Sequence, residues 1–119
     1  MAPERAKVFV AEDDSAWQLI IKKGLERSGH EVVVTATDLE SALALVDQLE
    51  SLGVDVAVLD GNLNKYESSG RDGQALLHAI RTKCPKVKTV GMSALSVPGS
   101  DLDLGKSGCH KIGEAVNNL

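Results

Sequence analysis

The chain has 119 residues, a formal net charge of −4 and hydrophobic and charged fractions of 43% and 25%. This length suits one domain with a buried core and is short for two. No apolar run reaches the roughly 20 residues of a membrane span, and no secretory signal is visible. Phosphate-backbone binding relies on clustered Lys and Arg, which are absent here. We therefore expect a cytoplasmic protein without a membrane or direct nucleic-acid partner.

In chain order, short Val-rich runs alternate with longer stretches of helical period. This alternation is typical of βα units and predicts a doubly wound α/β fold around a parallel sheet. Asp14 or Ser15 is expected to cap the first helix, and Asp38 the second. The predicted strands are Val8–Ala11, Glu31–Thr35, Val54–Leu59, Val87–Met92 and Leu102–Leu104. The predicted helices run from Ser15 to Gly29, from Asp38 to Gly53, from about Asp72 to Lys83 and from Ile112 to Leu119.

The helical period also predicts which side chains are buried. Ile20 lies on the apolar face of the first helix, and Leu43 lies in the apolar stripe of the second. The histidines form no metal-ligand spacing and are expected at the surface. The cysteines lack the paired spacing of a zinc or redox motif, so reduced thiols are expected. The histidines are His30, His78 and His110, and the cysteines are Cys84 and Cys109.

Acidic residues follow two of the predicted strands. Glu12, Asp13 and Asp14 come directly after the first strand, and Asp60 ends the third. Ligands of doubly wound sheets bind at the carboxyl ends of the strands, where these carboxylates would repel one another unless a cation or a proton intervenes. Mg²⁺ suits such a site because it prefers oxygen ligands. By themselves, residues 12–14 could equally serve to cap the first helix.

The ends of the later strands favour phosphoryl transfer. Ser93 follows the fourth strand and Lys106 follows the fifth, so acids, a hydroxyl and an ammonium group end successive strands. Such groups can position a phosphoryl group and stabilise its oxygens. Asp60 would be the nucleophile, and Ser93 and Lys106 would each contact a phosphoryl oxygen. The predicted Mg²⁺ ligands are Glu12, Asp13, Asp60 and the main-chain carbonyl of Asn62.

Four segments of the chain resemble the receiver domain of two-component response regulators. They are VFVAEDD at 8–14, VAVLDGNL at 56–63, RDGQALLHAIR at 71–81 and TVGMSAL at 89–95. The resemblance implies a flavodoxin-like sheet of order 2-1-3-4-5. It also implies that Glu12 and Asp13 bind Mg²⁺, Asp60 accepts phosphate, Ser93 is the switch hydroxyl and Lys106 is the family's lysine.

The chain departs from the family pattern in its last quarter. Only twelve residues separate Ser93 from Lys106, which predicts that the family's fourth helix is reduced or absent. Lys111 is an alternative active-site lysine, although no apolar strand directly precedes it. Ser107 replaces the family's proline after the lysine, and Asp103 occupies the position of its switch aromatic.

The expected function is phosphorylation of Asp60 by a sensor histidine kinase or phosphotransfer protein, with output through a downstream protein. Residues 7–119 would form the receiver domain, and residues 1–6 a disordered segment; homodimerisation is left open. A non-phosphorylated receiver that acts as an interaction module is the alternative. An enzyme is not expected, because the general acid of an aspartyl phosphatase is absent two residues after Asp60 and no glycine-rich nucleotide loop follows the first strand.

Overall fold

The structure is a computed structural model that describes residues 5–60, 71–92, 99–105, 108, 111–117 and 119. Five strands and four helices lie in these ranges, close to the predicted positions, except that the second helix ends at Val46 and not at Gly53 as predicted. The strands are β1 (Lys7–Ala11), β2 (Glu31–Ala36), β3 (Val56–Leu59), β4 (Lys88–Gly91) and β5 (Leu102–Asp103). The helices are α1 (Ser15–Arg27), α2 (Leu39–Val46), α3 (Arg71–Lys83) and α4 (Ile112–Asn117).

The strands form one parallel sheet of order β2-β1-β3-β4-β5. This result confirms the doubly wound fold and the predicted strand order. The central strand β3 is buried along its whole length, as the continuous apolar run predicts for a sheet covered on both faces. None of the helices within the described ranges has the length and apolar character needed to cross a membrane.

Alternate residues of each strand enter two separate cores, because successive side chains point to opposite faces of a sheet. Phe9 and Leu59 belong to the core beneath α2 and α3. Val10 and Val58 belong to the core beneath α1 and α4. The sheet is thereby covered by apolar cores on both faces. The acidic residues lie at the C-terminal ends of the strands, outside these cores.

The two predicted N-caps are present. Asp14 Oδ1 accepts hydrogen bonds from the N–H groups of Ala16 (2.8 Å) and Trp17 (3.3 Å) at the start of α1. Asp38 Oδ1 accepts one from the Ser41 N–H at 2.7 Å. Each bond satisfies a donor that has no partner inside the helix.

The side chains of Ile20, Leu43 and His30 differ from the predicted burial. Ile20 and Leu43 are 45% and 36% exposed, so the prediction that they face the core is wrong. Both lie at the margins of the apolar stripes. Each helix buries only the central part of its stripe, so apolar side chains at the margins remain exposed. His30 is 3% exposed, and its predicted surface position is also wrong. His78 is exposed, as predicted.

His30 is buried because both of its ring nitrogens bind main-chain groups. Nδ1 accepts a hydrogen bond from the Ala6 N–H at 2.9 Å. The ring proton therefore lies on Nε2, which donates to the Gly113 carbonyl at 3.2 Å. The side chain thus connects the start of β1 to α4. Ala6 is itself fully buried, whereas residues 1–4 lie outside the described ranges.

Gly113 brings α4 close to α1. A Cβ atom at this position would lie 2.0 Å from Ser28 Oγ and 2.8 Å from the Gly24 carbonyl oxygen. Only glycine permits so close an approach without displacement of the two helices. The terminal helix therefore docks through a specific steric fit as well as through its apolar residues.

The connection from β4 to β5 is short. Ten residues separate Gly91 from Leu102, and no helix lies there in the part of the chain that the structure describes. The ten-residue length of this connection agrees with the prediction that the family's fourth helix is reduced or absent. Residues 93–98 fall outside the description.

Candidate functional site

The main chain places the ends of β1 and β3 side by side. Ala11 pairs with Leu59 in the parallel register, and the Asp60 N–H donates to the Ala11 carbonyl at 2.9 Å. Glu12 and Asp60 are therefore the first residues beyond two paired strands. Their proximity follows directly from the register of the central sheet.

The turn after β1 is also held on its other side. The Glu12 N–H donates to the Ala36 carbonyl of β2 at 3.0 Å. The Gln18 amide, one turn into α1, lies 3.4 Å from the carbonyl oxygens of both Glu12 and Ala36. The turn that carries the acids is thus fixed between β2, β3 and α1.

Glu12, Asp13 and Asp60 form an acid cluster. One carboxylate oxygen from each residue lies within 4.8 Å of the others. Glu12 and Asp60 are 0% and 3% exposed, whereas Asp13 is half-buried. Sequence analysis predicted this convergence, and the structure brings all three side chains together.

Asp14 has a different role from its two neighbours. Its side chain caps α1, as described above, and the acid cluster does not include it. Capping therefore accounts for Asp14 but not for Glu12 and Asp13. The run of three acids serves two purposes, which the sequence alone left open.

The other predicted site residues fall outside the described ranges. They are Asn62, Ser93 and Lys106. The chain directly before Ser93 is placed beside Asp60, because the Met92 N–H donates to the Leu59 carbonyl at 2.8 Å. The chain directly before Lys106 is held by hydrogen bonds from the Leu104 and Gly105 N–H groups to the Gly91 carbonyl.

Lys111, the alternative lysine, is exposed and precedes α4. It lines a surface groove between β5 and α4, together with Leu102, Leu104 and Glu114. None of the three residues of the acid cluster lines this groove. Its surroundings therefore differ from those expected of a lysine that pairs with a phosphoryl group on Asp60.

Sequence analysis missed a polar network at the edge of the sheet. Asp101 Oδ2 accepts hydrogen bonds from the Thr89 N–H (2.8 Å) and hydroxyl (3.1 Å), and the Asp101 N–H donates to the Thr89 hydroxyl oxygen at 3.0 Å. Arg81 Nη2 lies 3.4 Å from Asp101 Oδ1 and also donates to the Gly99 carbonyl. We call Thr89, Asp101 and Arg81 the Asp101 network. No sequence pattern marks these three separated residues.

The hydrogen bonds of this network lower the pKa of Asp101. Burial alone would raise the pKa of this carboxyl group. The two hydrogen bonds from Thr89 and the positive charge of Arg81 oppose burial and together leave the pKa below its ordinary value. Asp101 is therefore a stably ionised acceptor at neutral pH.

Cys84 lies at the opposite pole of the sheet, after α3. Its Sγ is 3.3 Å from the Val46 carbonyl. Burial raises the pKa of the thiol, as do the carboxylates of Glu50 and Asp47, and these effects outweigh the lowering by a backbone hydrogen bond and by Lys83. A protonated thiol is a poor nucleophile, which fits the reduced and unreactive cysteine that the spacing predicted.

The sequence matches the family model of the response regulator receiver domain over residues 8–110. The chain belongs to this family. Among curated proteins, no sequence shows a significant match. Receiver domains of two-component systems act in general as phosphoacceptor signalling modules rather than as enzymes.

Solved receiver structures share the fold. The signal receiver domain of NarL from Mycobacterium tuberculosis is 27% identical, with a TM-score of 0.70 and coverage of 98% of this chain and 96% of that chain. RcsB from Salmonella typhimurium is 20% identical, with a TM-score of 0.75 and coverage of 96% and 60%. This receiver chain thus spans less than two thirds of the RcsB chain.

A third structure contains a bound phosphate mimic. It is the complex of CheX and CheY with BeF₃ and Mg²⁺ from Borrelia burgdorferi, which is 20% identical. Its TM-score is 0.65, and the match covers 76% of this chain and 63% of that chain. At this identity the likeness establishes the shared receiver fold.

Proposed function

We propose that this receiver accepts a phosphoryl group on Asp60 from a sensor histidine kinase or a phosphotransfer protein. The observation that carries this proposal is the acid cluster, whose three carboxylates converge at the ends of β1 and β3. The main-chain register fixes that convergence. Phosphoryl transfer depends on reacting groups held in a defined geometry, and the register of β1 and β3 supplies this for the acid cluster.

The reaction transfers a phosphoryl group from a histidine nitrogen of the donor to a carboxylate oxygen of Asp60. A carboxylate oxygen of Asp60 attacks the phosphorus atom of a phosphohistidine, a P–O bond forms and the P–N bond breaks. The imidazole nitrogen leaves with the bonding electron pair and takes up a proton. The product is a mixed anhydride on Asp60.

The donor set suits a hard divalent cation. Glu12, Asp13 and Asp60 offer only oxygen, and the main-chain carbonyl of Asn62 would add another oxygen. A bound Mg²⁺ would neutralise negative charge on the carboxylates and on the incoming phosphoryl oxygens. Glu12 and Asp13 would hold the cation, and Asp60 would be the group that reacts.

Ser93 and Lys106 complete the proposal. Ser93 follows Met92, whose N–H donates to the Leu59 carbonyl at the end of β3, and its hydroxyl would donate to a phosphoryl oxygen. The Lys106 ammonium group would pair with another such oxygen. Lys106 is preferred to Lys111 because Lys111 lines the groove between β5 and α4, which the acid cluster does not border.

The phosphodonor protein would contact the exposed apolar part of α1. Leu19 and Ile20 are 51% and 45% exposed, and their helix begins two residues after Asp13. Apolar side chains near the centre of an interface contribute strongly to binding. Phosphorylation would then change contacts with a downstream protein, because it adds charge and acceptor oxygens.

The test is incubation with Mg²⁺ and phosphoramidate, followed by measurement of the intact mass. Wild type should gain one phosphate only when Mg²⁺ is present, and Asp60→Asn should gain none. Asp14→Asn is the matched control, because asparagine is an equally good N-cap and Asp14 lies outside the acid cluster. Phosphate on Asp60→Asn, or loss of phosphate on Asp14→Asn, would contradict the proposal.

A non-phosphorylated interaction module is the second candidate. Asp103 stands where the family has its switch aromatic, and only ten residues separate β4 from β5. Both features weaken the family's usual route from phosphorylation to output. Binding of a phosphotransfer protein with equal affinity to wild type and Asp60→Asn, without phosphate on either, would favour this candidate.

A further inference from the structure

The two strand ends that lead to Ser93 and Lys106 are joined by a single set of side-chain contacts. Thr89 lies in β4, four residues before Ser93, and Asp101 lies five residues before Lys106. Three hydrogen bonds of 2.8 to 3.1 Å connect these two residues in a closed ring. The Thr89 side chain is completely buried.

The ring replaces strand pairing that β5 is too short to supply. β5 contains only two residues, which pair with Val90 and Gly91 of β4. The Asp101 carboxylate accepts a hydrogen bond from the Thr89 N–H. Without this bond, the Thr89 N–H would face the open edge of the sheet. The main-chain bonds of Leu104 and Gly105 to the Gly91 carbonyl continue the attachment up to the residue before Lys106.

Arg81 connects this edge to α3. Its Nη2 contacts both Asp101 Oδ1 and the Gly99 carbonyl, so one guanidinium group binds the start of the β5 segment twice. The Arg81 and Asp101 side chains are 47% and 27% exposed. An ion pair this exposed contributes little net free energy. Its effect is mainly to hold the start of the β5 segment in a fixed position against α3.

We propose that Asp101, supported by Arg81 and Thr89, is a positioning residue for phosphoryl transfer, because it sets the register of the segment that delivers Lys106. This inference rests on the proposed function of Asp60 and Lys106. A displacement of about 1 Å in a catalytic group can reduce a rate by as much as 100-fold. A short edge strand that lacked its side-chain attachment would permit such displacements.

The experiment compares Asp101→Ala with Lys83→Gln. Lys83 also lies on α3 and forms an exposed ion pair, with Asp47 at 2.8 Å, but it has no contact with β5 among the described interactions. With phosphoramidate and saturating Mg²⁺, Asp101→Ala should slow phosphorylation about tenfold. Lys83→Gln should leave the rate within about twofold of wild type.

The Mg²⁺ affinity separates positioning from a general loss of structure. It can be followed through Trp17, the only tryptophan of the chain, at a temperature where every variant is folded. Because the acid cluster lies on β1 and β3, Asp101→Ala should leave the Mg²⁺ dissociation constant within about twofold of wild type. Thr89→Val should reproduce the slow rate, and Thr89→Ser, which keeps the hydroxyl, should restore most of it.

A double-mutant cycle with Lys106→Ala tests whether Asp101 acts through the lysine. Asp101→Ala should have little further effect on the rate in the Lys106→Ala background, because coupled residues are not additive. Equal effects in both backgrounds, or equal rates for Asp101→Ala and wild type, would overturn the positioning role while Asp60 phosphorylation stands. A wild type that takes no phosphate would instead overturn the proposed function.

Discussion

The acid cluster and the β5 edge are held by different kinds of interaction. Glu12 and Asp60 follow paired strands whose side chains are almost all buried, and the main-chain ladder between these strands brings the two residues together. By contrast, β5 has two residues and depends on Asp101, Thr89 and Arg81. The terminal helix α4 likewise depends on His30 and on the close approach at Gly113.

One receiver thus combines a region held by paired, buried strands with an edge held largely by side-chain contacts. The carboxylates that would hold the cation and the phosphoryl group directly follow the central strands. The lysine follows the edge segment, whose position depends on a few polar contacts. We therefore expect substitutions at the centre to affect stability most, and substitutions at the edge to affect phosphorylation more than stability.

The largest expected effect is that of Leu59→Ala, in the centre of the sheet. Leu59 is completely buried, and truncation of a buried leucine leaves a cavity that costs about 3 kcal/mol. Leu102→Ala, in the half-buried edge strand, should cost about 1 kcal/mol. Urea unfolding of both variants measures the difference, and equal costs would contradict the contrast between centre and edge.

His30→Leu should lower the free energy of unfolding by about 2 kcal/mol. Leucine fills a similar space but leaves the Ala6 N–H without its acceptor and removes the His30 bond to the Gly113 carbonyl. An unsatisfied buried polar group costs about 1–3 kcal/mol. His78→Leu, at an exposed site of α3, serves as the control and should change stability by less than about 0.5 kcal/mol. Similar values for the two variants would argue against the role of His30 in docking α4.

Asp101 should make stability depend on pH in the acid range. Its pKa is lower in the folded chain than its ordinary value of 3.8, so its contribution is present above about pH 4 and is lost as the pH falls. Asp101→Asn should therefore lower the free energy of unfolding by about 1 kcal/mol at pH 7. This difference should shrink toward zero as the pH falls through the lowered pKa of the folded state.

Asp47→Asn provides the comparison for this pH dependence, because Asp47 forms an exposed pair with Lys83. Unfolding curves of wild type and both variants at several acid pH values give the measurement. A difference between wild type and Asp101→Asn that is the same at pH 7 and well below pH 3.8 would show that the carboxylate charge of Asp101 does not stabilise the edge.

The smallest expected effect is that of Lys83→Gln. The side chains of Lys83 and Asp47 are 52% and 68% exposed, and exposed ion pairs contribute less than about 1 kcal/mol. Thermal unfolding should show that the variant is less stable than wild type by less than about 0.5 kcal/mol. In 1 M salt this difference should disappear, because salt screens the exposed ion pair of the wild type. A larger loss would mean that surface pairs on α3 also fix the neighbouring elements.

Most of the fold could be predicted from local patterns. The strand and helix positions follow from apolar periodicity and from caps such as Asp14 and Asp38, because these signals act over a few neighbouring residues. The apolar period misplaced Ile20 and Leu43, and the lack of a metal-ligand spacing misplaced His30 at the surface. Their burial depends on how much of each surface another element covers, and no local spacing encodes that quantity.

The sequence by itself determined the βα alternation, the run of acids after β1 and the aspartate at the end of β3. Local hydrophobic period and residue chemistry are sufficient for these features. Only the tertiary structure decided which of the three acids caps α1 and which of them approach Asp60, and that Asp101 joins Thr89 and Arg81. Contacts between residues distant in sequence depend on sheet register and helix docking, which arise when the whole chain packs.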